Sequence, residues 1–251
     1  MGFIEETLPK ETLFKSAEET KRGLKIAIYG PFSTGKTHFA LTGKEPVYII
    51  DTEMGSAPIM KSIHFKNKNT KILEVLEVSE DVLERDDVKS YEKIKEAIEY
   101  LYKNVHEGTL VVDSITDIWK IVQGYSKVNL LKIKAEDRPK YQFDWGLINN
   151  VYRQMLLKLI ALPVDVIITS RTSVDYDGNG NKLNSESPQW QKDTPYMVDI
   201  VIESVKTFNK MDGPGFEYEI KKARGYDKKI IGKKFKELNI EQLKKVLNGE
   251  I

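Results

Sequence analysis

The 251-residue chain contains no cysteine, which excludes disulfide bonds, cysteine-ligated zinc sites and a thiol nucleophile. It also has no apolar run that approaches the roughly 18 residues needed to span a membrane. The amino-terminal sequence MGFIEETLPK carries acidic residues and no apolar signal segment. Net charge is nearly absent, because 39 Lys and Arg residues balance 38 Asp and Glu residues. We therefore expect a cytoplasmic protein without membrane contact, in which any nucleic-acid site depends on local clusters of charge.

The most informative segment is GPFSTGKT, at residues 30–37. An apolar, β-prone run (LKIAIY) precedes it and a helix-compatible run (HFAL) follows it. In this strand–loop–helix context the pattern G-x-x-x-x-G-K-[ST] predicts a phosphate-binding loop, whose backbone amides face an anion at the start of a helix. The residues predicted to bind a nucleotide are Gly30, Pro31, Phe32, Ser33, Thr34, Gly35, Lys36, Thr37 and His38.

Two residues of this loop have individual predicted roles. Lys36 can reach the β- and γ-phosphates, and the Thr37 hydroxyl can ligate Mg²⁺. A second apolar run, TLVVD, ends in Asp113, which is the Walker B pattern, so we predict that Asp113 holds Mg²⁺ together with Thr37. The next residue is Ser114 and not Glu, so a catalytic base must come from another segment.

Glu53 is the candidate for that base. It follows the apolar run PVYIID, which is typical of a buried parallel strand, and ligands bind at the carboxyl ends of such strands. We predict that Glu53 positions the attacking water, with a solvated acidic loop as the alternative. A third strand, VDVIITSR, ends at Arg171, for which a contact with the γ-phosphate and an ordinary surface charge both stay open.

The segment from Asp175 to Glu186 has the letters of an EF-hand calcium loop, D-x-D-x-N-G-x5-E. A strand precedes it instead of a helix, and its Asp-Gly and Asn-Gly pairs are typical of hairpin tips. We therefore favour a hairpin over a calcium site. The nearby Tyr176 and Trp190 have two open interpretations, which are stacking on nucleic-acid bases and packing against the protein.

The rest of the chain predicts a single domain at residues 23–251 after an amino-terminal arm at residues 1–22. Helical periodicity covers residues 88–105, 115–133, 143–162 and 240–247, and strands are predicted at residues 71–78, 195–205, 216–222 and 229–232. Alternating strands and helices favour an α/β fold with a doubly wound, mostly parallel sheet and antiparallel carboxyl-terminal strands. Residues 221–236 form the one strongly basic stretch, which suits either a solvated face or a phosphate contact.

Together these segments resemble the RecA-like P-loop ATPases, most closely the compact phage and archaeal relatives of RadA-type recombinases. The resemblance covers about residues 24–235 and is carried by GPFSTGKT, YIIDTE, LVVDSITDIW, VIITSR and KKARG. It implies a RecA-like fold, ATP and Mg²⁺ as cofactors, and a homo-oligomer with ATP between subunits. It also implies that Lys222 and Arg224 reach the γ-phosphate of an adjacent subunit. Arg171 stands where that family usually has Gln or His.

The same resemblance implies single-stranded DNA as a partner, and ATP hydrolysis in DNA recombination, annealing or repair. Phe14 and Ala17 fit the F-x-x-A pattern by which such recombinases dock onto a neighbour, although two residues also match by chance. Two other functions stay open, a P-loop small-molecule kinase and an ATP-dependent scaffold or switch with negligible hydrolysis.

Overall fold

The computed structural model describes residues 22–62, 64–79, 85–209 and 213–251. Strands and helices alternate along most of this length, as the sequence predicts. A π-helical turn, Lys127–Leu131, extends the fourth helix. The elements are β1 Lys25–Tyr29, α1 Lys36–Leu41, β2 Val47–Asp51, α2 Ser56–Met60, β3 Thr70–Glu74, α3 Asp87–Asn104, β4 Thr109–Asp113, α4 Ile115–Ser126, α5 Gln142–Ala161, β5 Asp165–Ser170, β6 Thr172–Tyr176, β7 Lys182–Pro188, α6 Thr194–Met197, β8 Ile200–Asn209, β9 Gly213–Ala223, β10 Lys234–Lys236 and α7 Ile240–Leu247.

Eight of the strands form one sheet in the order β10-β9-β8-β1-β5-β4-β2-β3. The six strands from β8 to β3 are parallel, whereas β9 and β10 run antiparallel at one side. The central strands are continuous runs of Val, Ile and Leu because helices cover both faces of the sheet. The predicted α/β fold, mostly parallel with antiparallel carboxyl-terminal strands, is therefore confirmed.

The two faces of the sheet have separate apolar cores. Ala27 of β1 belongs to the core beneath α3, α4 and α5, whereas its neighbours Ile26 and Ile28 belong to the core beneath α1 and α7. This alternation is the period of two expected of a β-strand. It explains how one short strand supports helices on both sides, which is the doubly wound arrangement.

Most of the predicted elements are present, and two of the predicted strands are wrong in detail. Residues 229–232 include the end of a 3₁₀ turn, Lys228–Ile230, because the Asp227 side chain accepts the Lys229 amide and closes the turn. The strand of this region is β10. Residues 195–205 begin with the short helix α6, because Pro195 suits the first turn of a helix, and β8 starts only at Ile200.

Most of the predicted arm, residues 1–22, lies outside the described residues, and so do Phe14 and Ala17. The predicted docking role of those two residues therefore stays a prediction. Among the helices that the structure describes, none is both long and apolar enough to cross a bilayer.

Candidate functional site

A cavity of about 780 Å³ opens at the carboxyl edge of the parallel strands, beside the loop that leaves β1. This volume is in the range of small-molecule sites. The cavity brings together eight of the predicted nucleotide and metal residues with Glu53 and Arg171. Its lining residues are Pro31, Phe32, Ser33, Gly35, Lys36, Thr37, His38, Glu53, Ile59, Asp113, Arg171, Thr172, Glu186 and Phe216.

The loop at residues 30–37 has the conformation that its glycines were predicted to permit. Gly35 has φ of 81° and caps α1, and a Cβ at this position would lie 2.6 Å from the Tyr218 hydroxyl. Gly30 packs against β8, where a Cβ would lie 2.1 Å from the Ser204 carbonyl oxygen. The Thr34 hydroxyl is within 2.8 Å of Ser204 Oγ and donates to the Pro31 carbonyl. Gly30 and Thr34 thus shape the loop and do not line the cavity.

Lys36 turns back over this loop. Its ammonium donates to the Gly30 carbonyl at 2.9 Å and to the Pro31 carbonyl at 2.6 Å. Burial lowers the pKa of Lys36. The carboxylates of Asp113 and Glu53 oppose this shift, whereas the cations Arg171 and Lys206 add to it. Since its hydrogen-bond partners are neutral carbonyls, a bound phosphate would supply the close negative charge that this ammonium favours. The loop therefore fits a polyphosphate.

Asp113 lies at the end of β4, directly across from the loop. The Thr37 hydroxyl donates to Asp113 Oδ2 at 2.7 Å, and the Thr169 hydroxyl donates to the other carboxylate oxygen. Burial raises the pKa of Asp113, and these two hydrogen bonds act against that shift. A carboxylate and a hydroxyl are the oxygen ligands that Mg²⁺ prefers. Thr37 and Asp113 therefore fit the predicted metal site.

Glu53 is held at the cavity by the turn that follows β2. The buried Asp51 carboxylate accepts the Glu53 amide and the Ser56 amide, both at 2.8 Å, and so fixes the backbone on either side of Met54. This fixed turn directs Glu53 into the cavity that also contains Lys36. The Glu53 side chain is also exposed to solvent, so its role in positioning water stays a prediction beside the alternative of a solvated acidic loop.

Arg171 forms ion pairs with two acidic residues of the cavity edge. Its Nε donates to Glu53 Oε1 at 3.0 Å, and its Nη2 lies 2.9 Å from the same oxygen. The Nη2 group donates to Asp117 Oδ2 at 2.6 Å. The Arg171 amide donates to the Thr116 hydroxyl at 3.1 Å. These contacts place the guanidinium at the cavity, so it is not an isolated surface charge.

The hairpin β6–β7 begins directly after Arg171, which confirms the hairpin predicted from the Asp-Gly and Asn-Gly pairs. The Asp177 carboxylate accepts the amides of Asn179 and Asn181, which closes the tip. Asp175 accepts the Ser185 hydroxyl across the two strands. Among the described residues there is no cluster of three or more side chains suited to a metal ion.

Lys222 and Arg224 lie at the opposite edge of the sheet from the loop of their own chain. Because β9 is antiparallel to β8, Lys222 pairs with Val201, near the start of β8. The Lys222 ammonium donates to the carbonyls of Pro195 and Val198, and Arg224 donates to the carbonyl of Tyr196. Neither residue lines the cavity, so a role at an adjacent subunit stays a prediction.

Two residues in or beside the cavity, Asp117 and Phe216, were not singled out from the sequence. Asp117 lies in the first turn of α4, four residues after Asp113. Its short distance in sequence from Asp113 was the one feature that could have indicated a position near the site. Phe216 lies about 180 residues from the loop in sequence, and no local pattern indicated their contact. Trp190 was named, and its packing interpretation is the one observed, because it lies edge-on to Tyr29 with ring centroids 5.5 Å apart.

Comparison with known proteins assigns the chain to a family. A family model described as an AAA domain (AAA_24) matches residues 22–229. No curated protein matches the chain. The matched segment contains every residue that lines the cavity and covers well over half of the chain. The protein therefore belongs to the AAA_24 family of AAA domains, that is, P-loop ATPase domains of AAA type, which indicates nucleotide binding and hydrolysis.

Proposed function

We propose that this protein is a RecA-like ATPase that binds ATP with Mg²⁺ and hydrolyses it, acting as a homo-oligomer on single-stranded DNA in recombination, annealing or repair. One observation carries the ATPase part of the proposal. A single cavity combines the ammonium of Lys36, the Thr37–Asp113 pair at 2.7 Å and the carboxylate of Glu53.

The residues of the cavity would divide the work of hydrolysis. Lys36 and the loop amides bind the β- and γ-phosphates and stabilise the charge that spreads over the transferred phosphoryl group. Thr37 and Asp113 hold Mg²⁺, which when bound supplies further neutralisation of phosphate charge. Glu53 orients the water for in-line attack, and Arg171 offers a cation on the same side of the cavity.

The position of β5 favours this assignment over a kinase. β5 lies between β1 and β4 in the sheet, so its polar end stands between the phosphate loop and Asp113. There Thr169 contacts Asp113, and Arg171 contacts Glu53. This part of the cavity therefore contains side chains that suit a bound water and a metal ion. A kinase would need a pocket for a phosphate acceptor at this place.

The proposal of single-stranded DNA is supported by an exposed segment that connects α4 to α5 and includes the first turn of α5. Its aromatic side chains project into solvent, with Tyr141 70% and Phe143 73% exposed. Basic residues are interleaved nearby in sequence. Exposed aromatic rings beside cations are suited to base stacking along a charged backbone. The residues concerned are Lys132, Lys134, Arg138, Lys140, Tyr141, Phe143 and Trp145.

The homo-oligomer is proposed on the resemblance to RecA-like proteins. That resemblance gives Lys222 and Arg224 their role at a neighbouring site. If Lys222 and Arg224 contact the γ-phosphate of a neighbouring subunit, they must first give up their hydrogen bonds to the backbone carbonyls in and around α6. Hydrolysis would then depend on protein concentration.

The test is ATP turnover with and without single-stranded DNA, with particle mass measured in parallel. We expect DNA to increase turnover and ATP to increase particle mass, and we expect Lys36→Ala to abolish turnover. Tyr141→Ala should weaken the response to DNA, whereas the matched control Tyr100→Ala, on the outer face of α3, should not. Turnover of a monomer that ignores DNA would overturn the DNA and oligomer proposals. Acceleration by a phosphate acceptor would indicate the kinase, and assembly without turnover would indicate the scaffold.

A further inference from the structure

The nucleotide cavity continues past His38 into a second, smaller one. This second cavity has a volume of about 390 Å³. Its walls come from α1, from the segment before β3, from β9 and from the turn before α7. The residues that define it are His38, Thr42, His64, Phe216, Tyr218 and Glu237, and two of these, His38 and Phe216, also line the first cavity.

The side chains of the first cavity indicate the orientation in which a nucleotide would bind. Glu53, Asp113 and the Lys36 ammonium mark the end where the terminal phosphates belong. His38 follows Thr37 in the first turn of α1, so it borders the other end of the polyphosphate. The nucleoside must leave the loop at that end. The continuation of the cavity beyond His38 is therefore in the right place for it.

We propose that the second cavity binds the purine base of the nucleotide, against the rings of His38 and Phe216. This inference rests on the proposed nucleotide site, and it adds the residues that hold the base. Stacking on flat side chains is a sequence-tolerant way to hold a base, because every base has a π-face. Phe216 and His38 provide such rings on opposite elements, β9 and α1.

Both rings are held in place by neighbours. Phe216 lies against the phosphate loop, since a Cβ on Gly35 would meet its Cδ2 at 3.2 Å. His38 is edge-on to Phe65, with centroids 4.9 Å apart, and to His64 at 5.9 Å. A ring that is already held in place loses little conformational freedom when a base stacks on it.

The walls of the second cavity also carry polar groups. The Tyr218 hydroxyl lies 3.4 Å from the Gly35 carbonyl, and burial together with Glu237 raises the pKa of Tyr218 to about 12, so it stays protonated. The exposed Glu237 carboxylate can accept hydrogen bonds from the amino group of a purine. Thr42 is already engaged, because its hydroxyl accepts the Ile240 amide at 3.0 Å. These groups favour a base with an exocyclic amino group, and among such bases the two rings of a purine give more stacking area than the single ring of cytosine.

The experiment measures the Kd of four ligands by calorimetry with Mg²⁺ present: ATP, GTP, CTP and inorganic tripolyphosphate. The proteins are the wild type, His38→Ala, Phe216→Ala and the control Tyr100→Ala. We expect both cavity variants to lose roughly 10- to 100-fold in ATP affinity, the range that base stacking supplies. Their tripolyphosphate affinity should stay within about twofold of the wild type, since that ligand has no base. CTP should bind the wild type more weakly than ATP.

Each outcome has one meaning. A selective loss of ATP affinity in His38→Ala or in Phe216→Ala supports the proposal, and the ratio of ATP to GTP affinity then identifies adenine or guanine. ATP affinity unchanged in both variants, an equal loss for ATP and tripolyphosphate in both, or equal affinity of the wild type for CTP and ATP overturns it. A wild type that binds tripolyphosphate keeps the proposed phosphate site even if the base site fails. A wild type that binds neither ligand overturns both.

Discussion

Arg171 and Glu53 form an ion pair across the cavity, with Nε and Nη2 of the arginine 3.0 Å and 2.9 Å from the same carboxylate oxygen. The two residues are 118 positions apart in sequence and come from the ends of β5 and β2. Arg171 shares its Nη2 with Asp117. Both contacts engage Oε1 of Glu53, so a water that Glu53 orients would use the other carboxylate oxygen or follow a movement of Arg171. An arriving γ-phosphate is a competing anion for the same guanidinium.

The first prediction concerns Glu53. Glu53→Gln keeps the shape of the side chain and removes the charge that orients and deprotonates water. We expect kcat for ATP hydrolysis to fall by about 10²- to 10⁴-fold, the usual contribution of a general base, with ATP affinity nearly unchanged. Steady-state turnover and calorimetric Kd values measure the two effects separately. Glu99→Gln, on the exposed face of α3, is the matched control. Full activity in Glu53→Gln would remove Glu53 from the mechanism.

The second prediction concerns Arg171. If Arg171 exchanges Glu53 for the γ-phosphate, Arg171→Ala should weaken ATP binding more than ADP binding, because only ATP carries that group. We expect the preference for ATP over ADP to fall about 10-fold, the value of one charge-assisted hydrogen bond. Competition binding with a fluorescent nucleotide measures this ratio. Arg153→Ala, on an exposed position of α5, is the control. An equal loss for the two nucleotides would show that Arg171 acts only on the shape of the site.

The sequence predicted much of this site because its parts are local. The phosphate loop is a contiguous motif, and Asp113 and Glu53 each follow a short apolar run, so parallel pairing brings them to one edge of the sheet. The contacts of Arg171 were not predictable, because they depend on which strand ends are neighbours and on the rotamer of one long side chain. Phe216 was missed for a similar reason, since β9 returns to the loop from the far end of the chain.

The position of Lys222 and Arg224 shows a different limit of prediction from sequence. Their K-x-R spacing was visible and antiparallel carboxyl-terminal strands were predicted, but the neighbour with which β9 pairs was not. The pairing decides which edge of the sheet a strand end reaches. Because β9 runs antiparallel to β8, its carboxyl end lies beside the amino ends of β1 and β5. The pattern alone could not distinguish these two edges. The burial of Lys25 was also not predictable. Strand propensity predicted β1 but did not indicate that its lysine side chain is fully buried.

The third prediction concerns the metal. Asp113→Asn removes the only carboxylate that contacts Thr37 in the described structure. We expect the Mg²⁺ concentration for half-maximal turnover to rise by at least about 10-fold, because a neutral amide is a weaker ligand for a hard cation than a carboxylate. A Mg²⁺ titration of ATP turnover measures the change, with Glu99→Gln again as the acid-to-amide control. An unchanged Mg²⁺ requirement would contradict the assignment of Asp113 as a metal-holding residue.

The fourth prediction concerns stability and pH. Lys25 is fully buried beneath the sheet edge, where its ammonium donates to the carbonyls of Leu162 at 2.8 Å and Val164 at 2.6 Å. Burial and the nearby Arg22 lower the pKa of Lys25 from 10.5 to about 8, although Asp165 and Asp199 oppose the shift. At pH values between about 8 and 10.5, Lys25 is protonated in the unfolded chain and largely deprotonated in the folded chain. The unfolded chain therefore binds more protons, and the free energy of unfolding rises with pH in this range.

The measurement is the free energy of unfolding by urea at pH 7 and at pH 10, for the wild type and for Lys25→Met. Other groups titrate in both proteins, so the difference between them isolates Lys25. We expect the wild type to gain about 2 kcal/mol relative to the variant between these pH values. The absolute stability of Lys25→Met depends also on the two carbonyls that it leaves without an ammonium, and this term does not change with pH. Parallel pH profiles for the two proteins would mean that Lys25 keeps an ordinary pKa in the folded state.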